Sequence, residues 1–142
     1  MTIKQISVFL ENKEGRIKKA VEVISKAEIN IRALSIADNT KYGILRLIVS
    51  DNEKTKEVLK ANHFIVKESE VIVIGVEDKP NGLNSVLELF ENAKINVEYL
   101  YAFVSSKTDK AIVVVKIENY ESGIKALKEG NADILTEKDI AE

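Results

Sequence analysis

The sequence predicts an α/β (α+β) sandwich protein built from two tandem βαββαβ units with antiparallel sheets. Three observations support this: strands and amphipathic helices alternate in the same order twice, one strand-to-helix turn is duplicated, and the two copies keep a constant spacing. The turn reads LENKEGRI at residues 10–17 and VEDKPNGL at residues 76–83. By subtraction of residue numbers, Asp78 lies 66 positions after Asn12, as Asn96 does after Asn30. Internal repetition of this kind outranks chain length as a guide to architecture.

The first half begins with a strand whose residues Ile6, Val8 and Leu10 share one face. Gly15 can then take the positive φ that a sharp strand-to-helix turn demands. Asp51 or Asn52 can cap a second helix. The predicted elements are strands at 3–10, 29–37, 42–50 and 64–67, helices at 16–27 and 51–62, and a turn at Asp38–Lys41.

The pattern restarts after Glu68–Glu70, which is the only linker that the sequence predicts and is too short to allow free motion. The division gives two domains, residues 1–68 and 69–142. The hairpin between the second and third strands is two residues longer in this half. The predicted elements are strands at 71–77, 96–105, 111–118 and 132–135, helices at 83–93 and 121–129, and a frayed tail at 137–142.

Two βαββαβ units predict two ferredoxin-like domains, each with a four-stranded antiparallel sheet and two helices on one face. A sheet that is covered on one face should alternate apolar and polar residues. Residues 71–74, 99–104 and 111–115 are instead apolar on both faces. The second sheet face must therefore also be covered, by the other repeat or by a second subunit, because a bare face would be a large apolar patch.

Composition excludes several classes of function. The chain has 142 residues, a net charge of −2, a pI near 5.6 and no cysteine. This charge attracts neither nucleic acid nor an anionic membrane, and a thiolate metal site cannot form. The N-terminus lacks a signal-peptide pattern, and no apolar run approaches the roughly 20 residues that span a bilayer. We expect a cytoplasmic protein that binds neither nucleic acid nor membrane. Domains of about 70 residues bury little core, so oligomerisation is also expected.

No catalytic constellation is present in the sequence. His63 is the only histidine and is predicted to be a solvated residue at a helix end. Carboxylates alternate with lysines along the helix faces, which is typical of a solvated surface. The pairs Glu11 with Glu14 and Glu77 with Asp78 are interpreted as exposed turn carboxylates and not as metal ligands. We therefore predict no enzyme activity, no cofactor and no metal.

The two turns have a more specific chemistry. A helix N-terminus offers unpaired N–H groups and a positive dipole end, which suit a carboxylate. Asn12 or Asp78 could accept bonds from an ammonium, and the amide of Asn30 or Asn96 could bridge to the same ligand. A small zwitterion with an apolar side chain, an amino acid, would fit. The alternative is that Asn12 and Asp78 cap helices while Asn30 and Asn96 end loops.

The motifs NKEGRI…INI, at 12–17 and 29–31, and DKPNGL…INV, at 78–83 and 95–97, resemble those of ACT domains. The resemblance covers almost the whole chain and is closest to stand-alone tandem ACT proteins. It implies ferredoxin-like domains that bind regulatory amino acids at interfaces between ACT domains. The resemblance points to seven ligand-binding residues, Asn12, Gly15, Asn30, Asp78, Asn81, Gly82 and Asn96. With the neighbouring turn residues and apolar side chains, the predicted ligand-binding set is Leu10, Glu11, Asn12, Gly15, Arg16, Ile17, Asn30, Ile31, Val76, Asp78, Asn81, Gly82, Leu83, Asn96 and Val97.

The sequence departs from the family pattern at two positions. Glu14 replaces the usual proline of the first turn and adds a negative charge near the expected carboxylate position. Asn81 replaces the usual glycine of the second turn, although asparagine tolerates the left-handed conformation better than most residues. These departures predict two sites of unequal affinity, with a silent site as the extreme case.

The resulting prediction is a non-catalytic amino-acid sensor, a homodimer that regulates a partner enzyme of amino-acid metabolism. The rival prediction is a scaffolding or regulatory subunit that acts only through protein contacts, its ligand sites having lapsed. RNA-recognition modules share the βαββαβ order, but their aromatic third-strand motif has no counterpart in residues 111–117.

Overall fold

The computed structural model describes residues 1–38 and 41–141. Within these residues the βαββαβ order occurs twice, which confirms the predicted fold class. The elements are β1 (Ile3–Glu11), α1 (Arg16–Lys26), β2 (Ile31–Asp38), β3 (Tyr42–Val49), α2 (Asn52–Ala61), β4 (Ile65–Val76), α3 (Gly82–Asn92), β5 (Val97–Phe103), β6 (Ala111–Ile117), α4 (Tyr120–Glu129), β7 (Asp133–Leu135) and α5 (Glu137–Ile140). The predicted turn at Asp38–Lys41 includes Asn39 and Thr40, which lie outside the described residues.

Two compact units divide the chain. We call Lys4–Ser69 the first unit and Met1–Ile3 with Glu70–Glu142 the second unit. In the first unit the antiparallel strands follow the order β2-β3-β1, and β4 adjoins β1. The core lies between this sheet and the two helices because every second residue of β1 and β3 is apolar. Its members include Ile6, Val8, Leu10, Leu45, Leu47, Val49, Ala20, Ile24 and Leu59.

The second unit repeats this arrangement with the strand order β7-β4-β6-β5. The register is also repeated, since Ile72 faces Val115 as Ile6 faces Leu47 in the first unit. The corresponding core contains Ile72, Ile74, Val76, Val86, Phe90, Val113, Val115, Ile117 and Leu127.

Both faces of the central strands in the second unit are buried, as their continuous apolar sequences predict. On β4, Val71 and Val73 are as inaccessible as Ile72 and Ile74, which point to the helices. On β6 the residues from Ile112 to Val115 are all buried. The burial of both faces explains why these strands do not alternate apolar with polar residues.

Two predictions about chain connections were wrong. Glu68–Glu70, predicted as a linker, lies inside β4, so two predicted short strands form one strand of 12 residues.

Residues 137–140, predicted as part of a frayed tail, form the short helix α5. The Asp139 carboxylate accepts bonds from the backbone N and the hydroxyl of Thr136, at 2.7 and 2.9 Å, and Ile140 is buried. This capping box and one anchored side chain order the segment. The hydrogen bonds to Thr136 also lower the pKa of Asp139. Glu142 lies outside the described residues.

Helices α1 to α4 share one type of C-terminal ending without a glycine in the left-handed position. Glu28, His63, Lys94 and Asn131 all have φ between 56° and 67°. In each case the next residue donates its N–H to a carbonyl five positions earlier, as Ile95 does to Phe90 at 2.9 Å. This is the Schellman arrangement, in which glycine is usual because a side chain disfavours positive φ. His63 is accordingly exposed just beyond α2, as predicted.

Replacing Lys94 by glycine should stabilise the protein. Glycine adopts the φ of 58° found at this position without the steric strain of a side chain. Loss of that strain should raise the free energy of unfolding by on the order of 1 kcal/mol. Urea unfolding measures the change. The control is Lys125→Gly in the middle of α4, where the same substitution should lower the free energy of unfolding by about 1 kcal/mol. Equal effects of both variants would contradict this explanation of the helix ends.

Candidate functional site

The two strand-to-helix turns share one backbone conformation. Gly15 precedes α1 with φ 84° and ψ −8°, and Asn81 precedes α3 with φ 73° and ψ −3°. Neither residue makes a side-chain capping bond. Asn12 and Asp78 lie three residues before these N-cap positions. The alternative that Asn12 and Asp78 serve as helix caps is therefore wrong. Asn81 does adopt the left-handed conformation that asparagine tolerates.

Hydrogen bonds and ion pairs are duplicated between the turns as well. Lys79 donates its backbone N–H to the Glu77 carbonyl at 2.9 Å, and Lys13 does the same to Glu11. The side chains of both pairs also meet, with Nζ–Oε2 distances of 2.6 Å for Lys79–Glu77 and 3.2 Å for Lys13–Glu11. Lys79 lowers the pKa of Glu77, and Glu77 raises the pKa of Lys79. These pairs are largely exposed, so they orient the turn more than they stabilise the fold.

A cavity of about 720 Å³ opens beside the second turn. This volume lies within the range of roughly 300–1,000 Å³ that is typical of small-molecule sites. Its wall combines the turn, the face of α3 and the segment that enters β7. The lining residues are Gly75, Val76, Glu77, Lys79, Pro80, Asn81, Gly82, Ser85, Val86, Leu89, Lys110, Gly130, Asn131, Ala132 and Asp133.

Two glycines let the chain approach closely around this cavity. A Cβ on Gly82 would collide with the backbone carbonyl oxygen of Glu77. A Cβ on Gly75 would lie 2.8 Å from Oδ2 of Asp133, the residue opposite it in the β4–β7 pairing. Asp133 is held by Lys110, whose Nζ lies 3.1 Å from Oδ2. The cavity therefore has an ion pair at each of two places in its wall, Glu77–Lys79 and Lys110–Asp133.

The first turn of α3 adds unsatisfied donors beside the cavity. The first hydrogen bond of the helical type runs from Ser85 to Asn81 at 3.0 Å. The N–H groups of Leu83 and Asn84 precede it and have no acceptor within the helix. Together with the helix dipole they make this end of α3 favourable for negative charge.

Asn30 and Asn96 lie away from the turns of their own units. Each stands at the start of the strand that follows α1 or α3, while the turn stands at the other end of that helix. Eleven helical residues separate the two points, about 16 Å at 1.5 Å per residue. Asn30 and Ser50 bond each other there, because the Asn30 N–H donates to the Ser50 hydroxyl and the Ser50 N–H to the Asn30 carbonyl, both at 3.0 Å. One amino acid cannot bridge a turn and the asparagine of the same unit.

Most of the other predicted site residues lie on the cavity wall, in or against the cores, or on the surface. Val76, Asn81 and Gly82 line the cavity. Leu10 and Val76 are buried in the cores, and Ile31 and Val97 pack against them. Glu11, Asn12, Ile17, Asp78 and Leu83 are exposed.

Sequence reasoning missed the cavity residues just before β6 and those between the end of α4 and the start of β7. Lys110, Asn131, Ala132 and Asp133 are distant in sequence from the duplicated motif. One available signal was Gly75, which interrupts the apolar run of β4.

In the corresponding region of the first unit, two large side chains meet. In the alignment of the two repeats, Arg16 is the counterpart of Gly82. The ends of α2 and α4 also align, so Phe64 is the counterpart of Ala132. The Arg16 guanidinium carbon lies 4.7 Å from the centroid of the Phe64 ring, a cation–π contact. Phe64 is 5% exposed.

Two further features are absent from the described part of the chain, residues 1–38 and 41–141. No helix there is long and apolar enough to cross a membrane. Among the same residues, no group of three or more acidic or histidine side chains is placed to hold a metal ion.

The two units define a class of protein, a tandem pair of ferredoxin-like domains with a duplicated strand-to-helix turn. A sequence model of the ACT domain pair matches residues 1–142. The chain belongs to this ACT domain pair family. No curated protein is significantly similar to it in sequence.

Solved structures agree with this assignment. The chain is similar to protein BT0572 from Bacteroides thetaiotaomicron, with 40% identity, a TM-score of 0.92, and coverage of 100% of this chain and 97% of that one. It shares its fold with the ligand-free regulatory subunit of aspartate kinase from Thermus thermophilus, at 14% identity, TM-score 0.62, and 89% and 91% coverage. It also shares the fold with E. coli aspartokinase III in complex with lysine and aspartate, at 10% identity, TM-score 0.55, and 100% and 32% coverage.

Gly82→Ala should destabilise the second unit, because the added methyl group meets the Glu77 carbonyl oxygen. The expected loss is about 1–3 kcal/mol in the free energy of unfolding, measured in urea. Asn81→Gly is the control, since glycine also adopts positive φ, and its effect should stay within about 1 kcal/mol. A Gly82→Ala variant as stable as the parent would show that the turn can relax.

Proposed function

We propose that this ACT domain pair is a non-catalytic, cytoplasmic regulatory protein that binds an amino acid beside its second strand-to-helix turn. Ligand binding would then alter how the protein acts on a partner enzyme of amino-acid metabolism. The observation that carries the proposal is the cavity beside Asn81 and Gly82, with its two ion pairs and apolar wall.

The chemistry of the cavity favours a zwitterion with a side chain of modest size. A ligand carboxylate would be attracted by the N-terminus of α3 and by Lys79 or Lys110, and its ammonium by Glu77 or Asp133. Val86, Leu89 and Ala132 offer apolar surface for the side chain. The wall carries equal numbers of lysines and carboxylates, which suits a ligand without net charge better than an inorganic anion.

A role for Asn30 and Asn96 requires a turn from another ACT unit. Since each lies about 16 Å from the turn of its own unit, it could contact only a ligand held by a turn from elsewhere. The resemblance to ACT domains implies ligands at interfaces between such domains. We therefore expect Asn96→Ala or Asn30→Ala to weaken binding only if two ACT units, of one chain or of two, together form the site.

A regulatory role agrees with the chemistry of the chain and with its structural relatives. The described residues provide acids, bases and tyrosines on the surface, but His63 stands alone and exposed. The structure of similar fold from Thermus thermophilus is a regulatory subunit, and aspartokinase III was solved with two amino acids. The division into domains at residues 1–68 and 69–142 stays a prediction.

A thermal-shift screen against the twenty amino acids tests the proposal. A ligand that binds only the native state, at about 100 times its Kd, adds about 2.7 kcal/mol of stability. For a chain of this size that is a rise in Tm of roughly 5–10 °C. Two charge-neutralising variants, Lys110→Met and Asp133→Leu, should each reduce the shift. Lys125→Met, on the exposed surface of α4, should not.

The screen also separates this proposal from its rival. A scaffolding subunit with lapsed ligand sites would show no shift with any amino acid, and that result would end the sensor proposal. A shift that persists in the Lys110→Met and Asp133→Leu variants would instead locate the binding elsewhere in the chain.

We further propose that the protein is a homodimer. β2 is the terminal strand in the strand order of the first unit, so among the described residues one of its edges adjoins no other strand. Leu34 and Ile36 are 52% and 39% exposed there. Both pair with core residues of β3, Leu47 and Leu45, and thus lie on the helix-facing side of the sheet. An exposed edge strand with apolar side chains is a favourable surface for association.

Sedimentation equilibrium tests the dimer. The parent chain should show twice its monomer mass, and the double variant Leu34→Glu, Ile36→Glu should show the monomer mass because two charges would be buried in the interface. The control is Ile65→Glu, since Ile65 is 70% exposed in the same unit but lies outside β2. A monomeric parent, or a dimer that survives the double variant, would rule out this interface.

A further inference from the structure

The two units differ at the positions that surround the cavity. Before the hairpin, equivalent residues are 66 apart; after it, they are 68 apart because the second hairpin is longer. Leu127 follows Leu59 by 68 positions, and both accept the bond that ends their helix, from Ala132 and Phe64 respectively. The equivalence of Ala132 and Phe64 therefore rests on backbone hydrogen bonds as well as on the sequence.

In the first unit, two large side chains stand where the second unit has almost none. Arg16 replaces Gly82, and Phe64 replaces Ala132. Arg16 lies across the Phe64 ring at 4.7 Å and is only partly exposed. This stack, which we call the Arg16–Phe64 plug, occupies the position that is equivalent to the open wall of the second-unit cavity.

The charged wall is also replaced. Gly75, Lys110 and Asp133 of the second unit correspond to Phe9, Tyr42 and Ile65 of the first. Those three residues are 41%, 59% and 70% exposed. The first unit thus has an apolar surface where the second has the Lys110–Asp133 ion pair at 3.1 Å. Both turns carry a Glu–Lys pair, but the second unit adds the Lys110–Asp133 pair and an open cavity, which together suit a zwitterion.

We propose that the two turns are not equivalent receptors: the second unit binds one amino acid per chain, and the first unit carries its own plug in place of a ligand. This inference rests on the proposed function and specifies which repeat performs it. The Glu–Lys pair and the left-handed N-cap are common to both turns, so they cannot distinguish ligand from plug. The discriminating residues are Gly82, Ala132 and the Lys110–Asp133 pair.

The experiment fills the cavity with the side chain that the first unit uses. In Ala132→Phe the new ring enters the hollow, and affinity for the amino acid selected by the thermal-shift screen should fall by about a hundredfold or more. Titration calorimetry measures it. The position-matched control is Phe64→Leu, which alters the plug conservatively and should leave both affinity and a stoichiometry of one per chain unchanged.

A folding readout accompanies the titration. Because the space beside Ala132 is open, the Ala132→Phe protein should unfold at the parent Tm or above it. A lower Tm would mean that the ring is overpacked and that the hollow is not available, which would overturn the inference.

The remaining outcomes are distinct. Two amino acids per parent chain, or undiminished binding by Ala132→Phe, would overturn the inference and leave the sensor function intact. Loss of binding in Phe64→Leu but not in Ala132→Phe would assign the site to the first unit and also overturn it. Absence of binding by any of the twenty amino acids to the parent would remove the proposed function itself, and the site assignment with it.

Discussion

The structure depends on one backbone constraint, the left-handed residue that converts a buried strand into a helix. A strand that ends in the core must reverse direction within five residues so that the helix packs back on the same sheet. In both of these turns, a residue at positive φ immediately before the helix makes the reversal. Gly15 and Asn81 meet that constraint with nearly the same angles. As a result the N-terminus of the helix, with its unpaired donors, is exposed at the end of the sheet in each unit.

Whether that exposed helix end receives a ligand depends on neighbours that the turn does not control. In the second unit the adjoining positions are small or form an ion pair, and a cavity results. In the first unit an arginine and a phenylalanine meet there. Duplication thus preserved the backbone device, which folding needs, while the side chains around it diverged.

Sequence reasoning predicted the fold well because the fold is encoded locally and twice. The periods of the strands and helices and the turn residue Gly15 act over a few neighbouring positions. The constant spacing of 66 residues shows that these local signals occur twice. The site was predicted less completely, since Lys110, Ala132 and Asp133 reach the turn only through strand pairing. The proximity of Asn30 to Asn12 was inferred from sequence order, but α1 holds the two apart.

The errors in the chain connections have a similar origin. The polar segment Glu68–Glu70 was predicted as a linker, yet its backbone belongs to β4. Backbone hydrogen bonding, and not side-chain polarity, decides the structure there. The tail was predicted to fray because it is a chain terminus. A capping box and one buried isoleucine, Ile140, order it instead.

The unbroken strand β4 restricts how this protein can be taken apart. Tandem repeats are commonly separated by cutting the connecting segment and producing each half alone. Here any such cut falls within a strand of 12 residues, so each fragment would carry a severed strand end with unpaired backbone groups. Ends of this kind favour aggregation, and the behaviour of a fragment would report on the cut and not on the domain. The division of labour between the repeats is therefore accessible through substitutions in the intact chain.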